Sequence, residues 1–129
     1  MSFKKLVILA VPSLALGLLL LGDVNAAAIS VKCTMTGTSR SSVSVVGTSL
    51  SGSNYVIVGS GGHGYKSGIK TASTTGVLVF KFDSNATAIA AGATPIPATF
   101  IKDLRVEGYI RKAVTHRLIA AIAAPCTAK

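Results

Sequence analysis

HRLIAAIAAPC, residues 116–126, is the stretch on which the fold turns. Its alanines favour a helix on intrinsic propensity. Read with a period of two, it places Leu118, Ala120, Ile122, Ala124 and Cys126 on one face. The other face is Arg117 followed by Ile119, Ala121 and Ala123, which are small or apolar. The strand reading delivers Cys126 to the core side, and the same argument applies to Cys33. In ISVKCTM, residues 29–35, the odd positions are apolar or cysteine and the even ones are polar. That is the mark of a half-buried strand, with Cys33 facing inward. We therefore read 116–126 as a strand, with a helix as the alternative.

These two cysteines are the only ones in the chain. An intramolecular bridge between them would close a loop of about 94 residues, worth roughly 4 to 5 kcal/mol in the chain-entropy account. The alternatives are two buried thiols or a bridge between chains. A bridge requires an oxidising compartment, and the N-terminus fits one. MSFKK is short and basic, and Leu6–Leu21 is an uncharged run of sixteen residues. The small-residue segment GDVNAAA follows. This three-part layout predicts a secretory signal peptide over 1–26, cleaved after Ala26 or Ala28. Sixteen residues fall short of the roughly 20 that a spanning helix needs. No later segment has the apolar length to span a bilayer. The expected location is secreted, periplasmic or cell-surface.

The remaining part, 27–129, has the size of one domain. SSVSVVG puts Val43 and Val45 on one side, and NYVIVG sets Val56 and Val58 opposite Tyr55 and Ile57. GVLVFKF, residues 76–82, is the strongest strand, with Leu78, Phe80 and Phe82 inward and Lys81 outward. In LRVEGYIRKAV, residues 104–114, Leu104, Val106, Gly108 and Ile110 face in. Arg105, Glu107, Tyr109 and Arg111 face out. Ile69 and Ala72 are weaker core candidates. ATAIA can open a short helix capped by Asp83 or Asn85 and ended by Gly92, Pro95 and Pro97. About seven short strands with glycine and serine turns indicate an all-β fold, a β-sandwich or a barrel, with one disulfide joining its first and last strands.

VGSGGHGYKSG, residues 58–68, follows a strand and resembles the start of a phosphate loop. It fails the pattern. Gly59 and Gly64 have the right separation, but residue 65 is Tyr, and Lys66-Ser67 arrives one place late. SGIKTASTTG then offers no helix whose N-terminus could hold phosphate. No nucleotide or other cofactor is expected. The segment reads as a surface loop that offers His63, Tyr65 and Lys66 for binding.

No metal site is expected, since His63 and His116 are far apart in sequence and the acids are isolated. No nucleophile elbow occurs, and three acids after cleavage leave little for paired-carboxylate chemistry. No catalytic residue is assigned, and an enzyme is not expected.

Charge is the remaining signal. The chain carries +9. After cleavage, eleven Lys and Arg stand against three acids, a net of about +8. Arg105, Tyr109 and Arg111 form an outward stripe that Lys32 could join, a pattern that suits polyanions. The alternative is an ordinary solvated face, partly neutralised by Glu107. Asn85-Ala86-Thr87 fits the N-glycosylation rule, which applies only in a eukaryote. The expected function is a non-catalytic structural or interaction protein that binds a protein partner or assembles with itself. The second expectation is a cationic module for a polyanion or glycan.

Overall fold

Successive side chains of a strand point to opposite faces, and along Arg40–Gly47 and Leu78–Phe82 every second one is buried. The computed structural model describes residues 26–129, and ten strands and one short helix follow in that part. Residues 1–25, which carry nearly all of the expected signal peptide, lie outside the described residues.

One sheet has the order β10-β1-β2-β6-β7: β10 (Thr127–Ala128), β1 (Ala28–Thr36), β2 (Arg40–Thr48), β6 (Leu78–Asp83) and β7 (Thr94–Pro95). The other has the order β4-β3-β8-β9: β4 (His63–Lys66), β3 (Ser53–Ser60), β8 (Arg105–Lys112) and β9 (Leu118–Pro125). The two-residue β5 (Lys70–Thr71) also pairs with β3. Val43, Val45, Phe80 and Phe82 from the first sheet meet Val56, Val58, Val106 and Ile110 from the second in one core. Each such side chain contributes about 1.5–3 kcal/mol by leaving water.

The Cys33–Cys126 disulfide joins an early strand to the end of a late one, with S–S 2.00 Å and Cα atoms 4.7 Å apart. Cys126 lies between β9 and β10, where the chain passes from one sheet to the other. The bridge therefore ties the two sheets together at that crossing.

The one helix among the described residues, α1 (Ala86–Ala90), is capped by Asn85. The Asn85 Oδ1 accepts from the backbone N–H groups of Thr87 (3.0 Å) and Ala88 (3.2 Å), which is the role of an N-cap. The long segment that follows folds back over the core, burying Ile96, Phe100 and Ile101. Its backbone needs partners there, and two buried serines supply them. Ser41 Oγ donates to the Ala98 carbonyl (2.7 Å). Ser60 Oγ donates to the Arg105 carbonyl and accepts from the Lys102 N–H, each at 2.7 Å.

Four expectations are corrected. The 58–68 segment is not a loop throughout. Gly61 and Gly62, at φ 56° and 84°, form a two-residue hairpin turn, and 63–66 returns as β4 along β3. Leu104 does not face the core, because its own positive φ of 49° ends the approach to β8 and leaves it 41% exposed. Leu118 and Ile122 are 44% and 39% exposed. β9 is the outermost strand of its sheet, and a bulge pairs Arg111 with Leu118, so that Ile119 instead packs on the core. Ile69 is exposed, since it lies between β4 and β5, outside any strand.

Candidate binding surfaces

Pairing decides which side chains share a surface. On the outer face of the second sheet, Lys66 of β4 lies beside Ile57 of β3, and Ile57 lies beside Tyr109 of β8. The next row of that face pairs Tyr55 with Arg111, and Arg105 follows beyond Glu107 at the far end of β8. The expected trio of Arg105, Tyr109 and Arg111 thus does stand on one face. Lys32 does not join it. It pairs with Ser44 in the first sheet and is exposed on the opposite side of the molecule.

Lys66 takes the place that Lys32 was expected to fill. Alternation along β4 turns it away from His63 and Tyr65 and sets its Nζ 4.5 Å from the Tyr55 ring centroid. The Tyr55 hydroxyl meets His116 Nδ1 at 2.9 Å, and Arg111 Nη1 donates to the His116 carbonyl at 2.9 Å. Tyr109 donates its hydroxyl to Glu107 Oε1 at 3.0 Å. That bond to a carboxylate, with some burial, pushes the Tyr109 phenol above its ordinary range. The one acid on this face is therefore already engaged.

His63 and Tyr65 go elsewhere. With Pro97, Thr99, Phe100 and Lys102 they line a notch of about 210 Å³. The Tyr65 ring meets Phe100 edge to face, with centroids 5.4 Å apart. The cation of this notch is Lys102, which the sequence did not single out. The signal was available only in part, because Lys102 is positioned by the backbone bond to Ser60, a residue distant in the chain.

A larger cleft, about 690 Å³, lies on the other side of the molecule beside β6. Arg40, Lys70 and Lys81 line it, with Asp83 and the hydroxyls of Ser42 and Ser44. None of these residues was named as a site from the sequence.

His63 sits at the Ser60 end of β3 and His116 at the Tyr55 end. Among the described residues, no three His, Cys, Asp or Glu side chains come close enough to hold a metal. Against protein-family models, curated proteins and solved structures, the chain shows no match.

Proposed function

We propose that the chain is a non-catalytic structural or interaction protein of an exported compartment. In this reading, residues 27–129 form one β-sandwich domain, released from a signal peptide that ends at Ala26 or Ala28. The disulfide supports the compartment. Among the described residues, no helix is long and apolar enough to cross a membrane.

The observation that carries the reading is β9. It is the outermost strand of its sheet and has eight residues, none charged. Ala121 and Ala123 are exposed on one face, and Leu118 and Ile122 are partly open. Edge strands in soluble proteins are commonly blocked by lysine, proline or a bulge. Here the bulge and Pro125 lie at the two ends of the strand, and no lysine stands between them. An added strand from a partner or a second copy fits such an edge.

The test is size-exclusion chromatography with light scattering on the mature, oxidised protein at low and high salt. An oligomer or protein complex that resists salt, and that Ala123→Lys dissolves, is the expected result. A bare monomer from its native source, unchanged by the substitution, overturns the reading.

A second reading has its own observation. Lys66, Arg105 and Arg111 share a face with Tyr109, while Glu107 is occupied by the Tyr109 hydroxyl. Such a face suits a polyanion or an acidic glycan.

A further inference from the structure

We propose that the cleft beside β6 binds an acidic saccharide, a hydroxyl-rich ring that bears a carboxylate. The cleft lies at the edge of the molecule opposite β9, so the proposal does not rest on the reading above.

Its volume, about 690 Å³, falls in the range of 300–1,000 Å³ found for small-molecule sites. Three parts of the chain bound it: the paired strands β2 and β6, the segment Ser67–Lys70, and the turn from α1 into β7. They are fastened to one another. Lys70 Nζ donates to the Val79 carbonyl at 2.7 Å, which ties the second segment to β6. The Ile96 N–H donates to the Asp83 carbonyl at 3.1 Å, which ties the third.

Charge gives the ligand its sign. The single carboxylate of the cleft, Asp83, is already engaged. Its Oδ2 accepts from Arg40 Nη2, and its Oδ1 accepts from Arg40 Nε and the Asn85 N–H. Lys70 and Lys81 make no ion pair among the described residues. The cleft therefore presents the Lys81 ammonium and the Lys70 ammonium, the latter held in place by the Val79 carbonyl, beside a neutralised pair, and an anion balances their charge.

The remaining lining gives the ligand its class. Ser42 and Ser44 project outward from β2 with Lys81 beside Ser44 in the ladder. Hydroxyls at this spacing match a ligand rich in hydroxyls. The apolar share comes from the exposed Ile69 and Val79 with Ala88 and Ala91, against which the C–H face of a sugar ring can lie. Single-stranded nucleic acid is held by stacking its bases on exposed aromatic side chains, and the aromatic of this cleft, Phe80, is buried.

The test titrates digalacturonic acid into the ¹⁵N-labelled oxidised protein and follows amide shifts. Cellobiose, inorganic phosphate and a short oligothymidylate are titrated in parallel. The expected result is saturable shifts at Ser44, Lys81 and Thr94 with digalacturonate. Lys70→Gln and Lys81→Gln should each weaken the affinity by about threefold, the scale of one exposed ion pair. Ala123→Lys should leave it unchanged. Both lysines are exposed, so the variants keep the amide dispersion of the native fold. Four outcomes overturn the proposal: no shifts in the cleft, equal binding of cellobiose, equal binding of phosphate alone, or tighter binding of the oligothymidylate at these residues.

Discussion

Arg40 and Asp83 meet through two parallel hydrogen bonds, Nε to Oδ1 at 2.9 Å and Nη2 to Oδ2 at 2.7 Å. The pair fastens the start of β2 to the end of β6. Because Asp83 Oδ1 also accepts from the Asn85 N–H at 2.9 Å, the same carboxylate anchors the entry to α1. Two-pronged guanidinium–carboxylate pairs hold geometry better than single contacts. This one sets the angle between the first sheet and the helix that borders the cleft.

That geometry makes stability depend on pH. The Arg40 hydrogen bonds hold the Asp83 carboxyl below its ordinary value, helped by the Asn85 N–H and opposed by burial. A depressed folded value means the unfolded state binds the proton more readily. The contribution is therefore present above the ordinary aspartate range, about 3.9, and is lost as pH falls through the lower folded value. Asp83→Asn should cost about 1–3 kcal/mol at neutral pH, since it removes hydrogen bonds to a charged group. Urea midpoints of the two proteins should converge as the pH is lowered to about 3. A gap that stays constant over that range would show that the carboxylate charge does not matter.

The disulfide should supply a large part of the stability. It spans a sequence separation of 93 residues, so it restrains nearly the whole unfolded chain. Replacing Cys33 and Cys126 together by serine should lower unfolding free energy by about 2–5 kcal/mol. The wild-type protein in reductant should unfold at the same urea concentration as that double variant. If reductant leaves the wild-type midpoint unmoved, the bridge is not what holds the two sheets at this end.

Gly108 marks a close approach of β1 to β8. It sits inward between Val106 and Ile110, and a Cβ there would lie 2.8 Å from Val31 Cγ2. Valine is β-branched and has little rotamer freedom to yield. Gly108→Ala should cost about 1–3 kcal/mol. Gly64→Ala, whose nearest contact would be an ordinary 3.6 Å, should cost less. Val31→Ala should recover part of the Gly108→Ala loss in a double-mutant cycle of thermal unfolding. Simple additivity of the two substitutions would rule out the close approach as the cause.

The parts of the fold that were legible are those where one residue in two is polar. β2, β6 and β8 announce their inner faces through Val43 and Val45, Phe80 and Phe82, and Val106 and Ile110. Cys33 and Cys126 were matched by the same rule. β9 escaped it in detail, because alanine and isoleucine on both sides give alternation nothing to choose between. The bulge opposite Ile110 and Arg111 then turned Leu118 outward. β4 was hidden by its glycines, although two consecutive glycines between strands are themselves a hairpin signal. Phe100 and Ile101 are core residues in a stretch without periodicity, which alternation does not reveal. What anchors the stretch is Ser41, whose hydroxyl donates to the Ala98 carbonyl 57 residues away in sequence. The surfaces follow the same division. Arg105, Tyr109 and Arg111 share one strand, so their common face was readable. The exchange of Lys32 for Lys66, and the cleft beside β6, depend on which strands pair.

The outer face of the second sheet gives the last prediction. Lys66, Arg105 and Arg111 project from it, and the acid among them, Glu107, accepts from Tyr109. If this face binds polyanions, affinity for a heparin-like chain should fall steeply with salt, because each neutralised anionic group releases a counterion. Arg105→Glu with Arg111→Glu should abolish retention on a sulfated column at moderate salt. Lys32→Glu with Lys129→Glu, both exposed on or beside β1, makes the same change in net charge and controls for net charge alone. If retention falls in proportion to net charge whichever lysine or arginine is changed, the face has no special role and the attraction belongs to the whole basic surface. If the arginine double variant is lost while the charge-matched lysine double variant stays bound, the face is the site. Tyr109→Ala should then weaken binding at fixed charge, since an aromatic platform adds a contribution that salt does not screen.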